Sequence, residues 1–157
     1  MKAASINDLK KELKKADEDT LRELTLRLGK YKKENKELLT YLLFEAEDEH
    51  AYGESVKSDM DDFFTEIHTA NLYYAKKNLR KILRMVNKQI RYSGIKQTEL
   101  DLRIYFCLKM KNSGIRFHSS QVLLNIYNGQ LKKIHATLTK LPEDLQYDYE
   151  QAIRNLE

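Results

Sequence analysis

The 157 residues hold 28 Lys and Arg against 24 Asp and Glu, with five Gly, one Pro and a single Cys. One cysteine excludes an internal disulfide framework and fits a reducing, cytoplasmic setting. No apolar leader and no run of roughly 18 apolar residues is present, which predicts neither export nor a membrane span. Few helix breakers among abundant Leu, Lys and Glu predict one all-α domain. It should hold seven to eight helices in antiparallel hairpins, as an irregular bundle or a short, solenoid-like right-handed stack.

In chain order, Ser5 caps a first helix carrying Leu9 and Leu13. Asp17 to Thr20 interrupts it, and Asp19 or Thr20 caps a second helix with a Leu21, Leu24 and Leu28 stripe ending at Gly29. Residues 1–30 are thus read as a short helical pair packing on the main body. Asn35 caps a third helix holding Leu38, Leu39, Leu42 and Leu43, which frays through His50 to Gly53. A fourth starts at Glu54 or Ser55, with Val56, Met60, Phe63, Phe64 and Ile67 as its apolar face. Asn71 caps a fifth from Leu72 to Ser93, stopped by Gly94. Thr98 and Glu99 open a sixth helix through Lys111, and Ser119 and Ser120 precede a seventh over 121–141. Pro142 stands at the first position of the last helix. Asn128-Gly129 falls inside a helical pattern, where it reads as a glycine tolerated at a close helix contact. No segment carries strand alternation.

The charges are segregated. Glu45 to Glu66 contains nine carboxylates and one Lys57. The following stretch to Glu99 has no acidic residue but eight basic ones, from Lys76 to Lys96. At 100° per residue, Lys81, Arg84, Lys88 and Arg91 fall within about 40° of Lys77, and Arg80 about 60° away. Opposite them cluster Leu72, Ala75, Leu79, Ile82, Leu83, Val86 and Ile90, so 72–93 reads as a two-faced rod around which the other helices pack.

Three uses fit this basic face. It is a solvated face, or the acidic stretch folds back and pairs with it, each exposed pair contributing about 0–1 kcal/mol. Or it binds RNA or DNA, with Tyr73, Tyr74 and Tyr92 as stacking rings among the cations. Or it receives an acidic protein partner. The two blocks can also meet between two copies of the chain.

Catalytic and metal signals are weak. Glu47 and His50 share an E-x-x-H spacing, which on a helix places both on one face, but the second copy needed for a di-metal bundle is missing. Cys107 lies in the apolar run Ile104-Tyr105-Phe106-Cys107-Leu108 and reads as a small core residue. His118 adjoins Ser119 and Ser120 in a loop, where helix capping accounts for the hydroxyls. His135 sits among Ile134 and Leu138 and is expected to pack. Among the aromatics, Phe63, Phe64, Tyr105, Phe106 and Tyr127 are expected in or near the core. No phosphate-binding glycine loop and no cofactor motif occurs.

The overall texture resembles small helical bacterial proteins. The paired leucine segments Leu9, Leu13 and Leu21, Leu24, Leu28 resemble the two short helices of SAP-type DNA-binding modules. The turn glycine of that module is absent here, and Asp17-Glu18-Asp19 disfavours phosphate, so membership does not follow. The expected function is a non-enzymatic helical scaffold or protein-interaction module with an acidic protein partner. Nucleic-acid binding through Lys77, Arg80, Lys81, Arg84, Lys88 and Arg91 is the alternative. A carboxylate and histidine metal site is the remote one.

Overall fold

The computed structural model describes residues 1–157 and is helical throughout, without strands. The helices are α1 (Ile6–Leu13), α2 (Glu18–Tyr31), α3 (Lys33–Thr40), α4 (Glu49–Thr65), α5 (Leu72–Ser93), α6 (Lys96–Asn112), α7 (Gln121–Leu138) and α8 (Glu143–Arg154). A π-helical turn, Tyr41–Glu45, follows α3, and a 3-10 turn, Phe117–Ser119, precedes α7. The chain divides into two compact units, Met1–Phe44 and Glu45–Glu157.

In the first unit the N-terminal pair extends into a third helix. Ser5 caps α1 as expected. The α2 cap is Asp17, not Asp19 or Thr20, because its extended backbone lets the carboxylate accept from Thr20 N–H. Gly29 does not end α2; it is helical and buried. A Cβ there would lie 2.7 Å from Leu39 Cδ1, so the missing side chain lets α3 come close. The break falls instead at Lys32, one extended residue (φ −140°, ψ 150°) between the helices. Asn35 does not cap α3 either. Its amide donates to the Leu28 carbonyl at 2.8 Å and so closes the end of α2. Most of the unit's leucines stay exposed, Leu28 at 62%.

The second unit is a helical bundle with its own core. α4 begins at Glu49, five residues ahead of the expected start, because Asp48 accepts from Ala51 N–H and Tyr52 is already buried. Asn71 caps α5 by accepting from the N–H groups of Tyr73 and Tyr74. Gly94 ends it in the left-handed region (φ 68°), with its N–H on the Ile90 carbonyl at 2.9 Å.

The helix around which this unit is built is α6, not α5. Leu100, Leu102, Ile104, Phe106, Cys107 and Met110 are all buried, and α6 packs on α4, α5 and α7. A helix buried nearly all round has no amphipathic period, so sequence patterning favours its two-faced neighbour. α6 also starts two residues before Thr98. Thr98 is buried, and its hydroxyl donates to Glu49 on α4 at 2.6 Å, so it ties two helices together and caps nothing. At the other end of the unit, α7 stops at Leu138, and Pro142 is the cap residue before α8 with an extended ψ of 150°. Gly129 lies within α7 as read, but a Cβ there would meet nothing within 4 Å, so close packing does not explain it.

Candidate interaction surface

The unbroken α5 turns Ala75, Leu79, Ile82, Val86 and Ile90 into the core, as the stripe requires. On the opposite side Lys77, Arg80, Lys81, Arg84 and Arg91 are exposed, and Lys88 is half-buried. From Lys77 to Arg91 the strip runs about 21 Å at 1.5 Å per residue. Lys88 is engaged within the fold. None of the other five forms an ion pair. Lys81 instead rests over the Phe63 ring, its Nζ 4.8 Å from the centroid, and Lys76 rests over Tyr73 at 5.2 Å.

Tyr73 and Tyr74 are 66% and 50% exposed at the start of the helix, their rings edge to face with centroids 5.5 Å apart. Tyr92, at the far end, is half-buried and already engaged. Tyr73 and Tyr74 thus lie together at one end of the strip, with Tyr92 at the other. A shallow groove of 490 Å³ runs along the strip, lined by Tyr73, Lys76, Lys77, Arg80, Leu83, Arg84 and Asn87.

α4 lies antiparallel beside α5. The Tyr52 hydroxyl donates its one proton to Gln89 Oε1 at 2.7 Å, with the Gln89 carbonyl oxygen also within reach at 3.1 Å, near one end. Glu49 accepts from the Ser93 and Thr98 hydroxyls at that same end. Phe63 meets Lys81 toward the other. The acidic and basic blocks are thus neighbours in one unit, but their charges take different routes. Asp61 turns to α6, where it accepts from the Tyr105 hydroxyl at 2.8 Å and pairs with Lys109 at 2.8 Å. Lys109 and Tyr105 together hold the Asp61 carboxyl below its usual range. Glu54 pairs with Lys57 along α4 itself. Asp59, Asp62 and Glu66 are exposed and form no ion pair. Phe63, lying between the acidic strip and Lys81, occupies the seam where intrachain pairs would form.

The E-x-x-H reading does not survive the fold. Glu47 lies in the turn before the cap Asp48, while His50 is the second residue of α4, so the helical face that would join them is missing. No group of three metal-ligating side chains is brought together. Cys107 is fully buried, and burial pushes its thiol up to about 12, which removes the thiolate a nucleophile needs. His118 packs against Phe117 with the rings tilted by 33° and centroids 4.1 Å apart. Ser119 donates to the Arg116 carbonyl, and Ser120 caps α7. His135 does not pack as expected: it is exposed and lies 3.0 Å from a Glu157 oxygen.

One constellation escaped the sequence reading. Arg103 is only 6% exposed and forms a buried cluster. Its Nε and Nη2 donate to Glu99 Oε1 at 3.0 and 2.9 Å, and its Nη1 donates to Asn87 and Gln130 at 3.0 and 2.9 Å. Burial alone would raise the Glu99 carboxyl, but Arg103 and Lys96 outweigh that and hold it below its usual range. The signal was one charge inside the run Leu102-Arg103-Ile104-Tyr105-Phe106. These groups satisfy one another, and no buried side-chain polar atom lacks a partner, so the cluster holds α5, α6 and α7 together and leaves no open chemistry.

No helix is long and apolar enough to cross a membrane. No protein-family model matches the chain, and no curated protein or solved structure matches it either.

Proposed function

We propose that the protein is a non-enzymatic interaction module of the cytoplasm whose recognition surface is the cationic face of α5, and that it docks an acidic protein segment. The observation that carries this reading is the line of exposed, unpaired cations Lys77, Arg80, Lys81, Arg84 and Arg91 on one rigid helix. Apart from the contact of Lys81 with the Phe63 ring, these cations stand in water without counter-charges, and they repel one another along the helix. A partner that brings carboxylates converts that repulsion into attraction, and it gains orientation and on-rate more than raw affinity.

A protein segment suits the strip better than a nucleic acid. Asp59, Asp62 and Glu66 stand exposed on the neighbouring helix and repel phosphates that spread beyond α5. An acidic helix about 10 Å across can lie along α5 alone. Leu83 and Tyr73 in the groove wall add apolar contact that a side chain can fill.

The test is a binding titration with a labelled glutamate-rich helical peptide and, in parallel, a single-stranded oligonucleotide. The peptide should bind, and the triple change Lys77→Glu, Arg80→Glu, Arg84→Glu should weaken it at least tenfold, roughly 1.4 kcal/mol. Equal loss from both ligands, with the oligonucleotide the tighter of the two, transfers the reading to nucleic acid. Peptide binding untouched by the triple change overturns it.

A further inference from the structure

We infer that the acidic segment received by α5 is α4 of a second copy of this chain, in a two-fold dimer whose axis runs along the α4–α5 seam. This rests on the reading of α5 as a docking strip and names its occupant.

Three observations lead there. The acidic strip of α4 (Asp59, Asp62, Glu66) and the basic strip of α5 are both exposed, and these three carboxylates and Lys77, Arg80, Lys81 and Arg84 form no ion pair. They border one seam: Phe63, Glu66, Lys77 and Lys81 line a single notch of 240 Å³. And they are in register. With Tyr52 on Gln89 and Phe63 on Lys81, the antiparallel pair places Asp59 level with Arg84 and Glu66 level with Lys77. Each strip then extends about 10 Å along its helix.

Acidic and basic lines that lie side by side, at one level and on one face, are self-complementary. Rotation by 180° about an axis parallel to the helices sets each acidic line over the other copy's basic line, and it does so twice. Such an isologous contact closes the assembly at two copies. A rotation about the perpendicular in-plane axis sets like charges together and is disfavoured. The seam between the lines carries Phe63 and the stem of Lys81, which supply a narrow apolar centre. Because the pairs are exposed, each contributes little, so the dimer is weak and salt-labile.

Sedimentation velocity on the full chain tests this at about 10 mM salt, where the Debye length is about 30 Å, and at about 1 M, where it is about 3 Å. The dimer should form at low salt and dissociate at high salt. Lys77→Glu/Arg80→Glu/Arg84→Glu and Asp59→Lys/Asp62→Lys/Glu66→Lys should each be monomeric alone. An equimolar mixture of the two should associate again, since the two acidic lines of one variant meet the two basic lines of the other. Neutral versions (Gln for the cations, Asn and Gln for the carboxylates) should weaken the dimer without creating repulsion, and circular dichroism should show every variant folded. A wild-type chain that stays monomeric at low salt, or variants that fail to associate when mixed, overturns the dimer. If the chain is monomeric yet still binds the glutamate-rich peptide through α5, the docking strip stands and only the second copy is wrong. If neither occurs, both readings fall.

Discussion

Arg103 is the single charged residue that the fold buries. Its guanidinium is matched by Glu99, Asn87 and Gln130, which leaves no donor stranded. Removing it strands three partners at once, so Arg103→Ala should cost about 3–5 kcal/mol in urea unfolding. Replacing Arg103 and Glu99 together by Met and Leu should cost much less, because the buried charge goes with its partner. A double change as costly as Arg103→Ala would show that packing or the stranded amides of Asn87 and Gln130, not charge pairing, set the penalty. The same carboxylates govern acid sensitivity. Glu99 and Asp61 titrate below their ordinary values of 4.5 and 3.8, so the folded state holds its protons less tightly than the unfolded chain. Their contribution is complete above those ordinary values and is lost as pH falls through the lower folded ones. Thermal unfolding between pH 7 and 3 should therefore show stability flat at first and declining in the acid part of the range, and Glu99→Gln should flatten that decline.

At the scale of the element, the caps decide where helices begin and the glycines show which positions are spare. Asp48, Asn71 and Ser120 each accept a backbone N–H at a helix start. Gly53 and Gly129 sit inside α4 and α7 with open space where a Cβ would go. Gly53→Ala and Gly129→Ala should each stabilise the protein by about 0.5–1 kcal/mol, read as a raised Tm. Gly94 has the same open space but a φ of +68°, so Gly94→Ala should destabilise. Together the three variants separate space from backbone conformation. The α5 helix was legible in full because its cap, its two faces and its terminator all agree. α6 was legible as a helix over 98–111 but not as the central one, since it is enclosed by three neighbours and keeps no polar face along its middle.

Across the whole molecule, burial is uneven. The unit Glu45–Glu157 holds nearly all the buried apolar side chains, whereas Met1–Phe44 buries only Gly29 and Tyr41 and exposes Leu24, Leu26, Leu28 and Leu42. Phe106→Ala, in the middle of α6 and against Phe64, should cost about 3–5 kcal/mol. Leu28→Ala should fall within about 0.5 kcal/mol. Denaturant unfolding of both variants checks this. A large loss at Leu28 would show that the first unit is held more tightly than its exposure implies.

The chain's own order of residues was enough to determine that it is helical, where α5 starts and stops, and which of its faces is basic. Those properties depend on neighbours three or four residues apart, which periodicity and caps record directly. Which helix lies at the centre, where Asp61 turns, how Arg103 finds its partners and whether the two charge blocks pair were decided by the tertiary structure alone. Each depends on groups that are distant in the chain and meet only when helices pack. Phe63 shows the difference most plainly: its place in or near the core was legible and it is half-buried, but that it lies beneath Lys81, between the acidic and basic lines, was not.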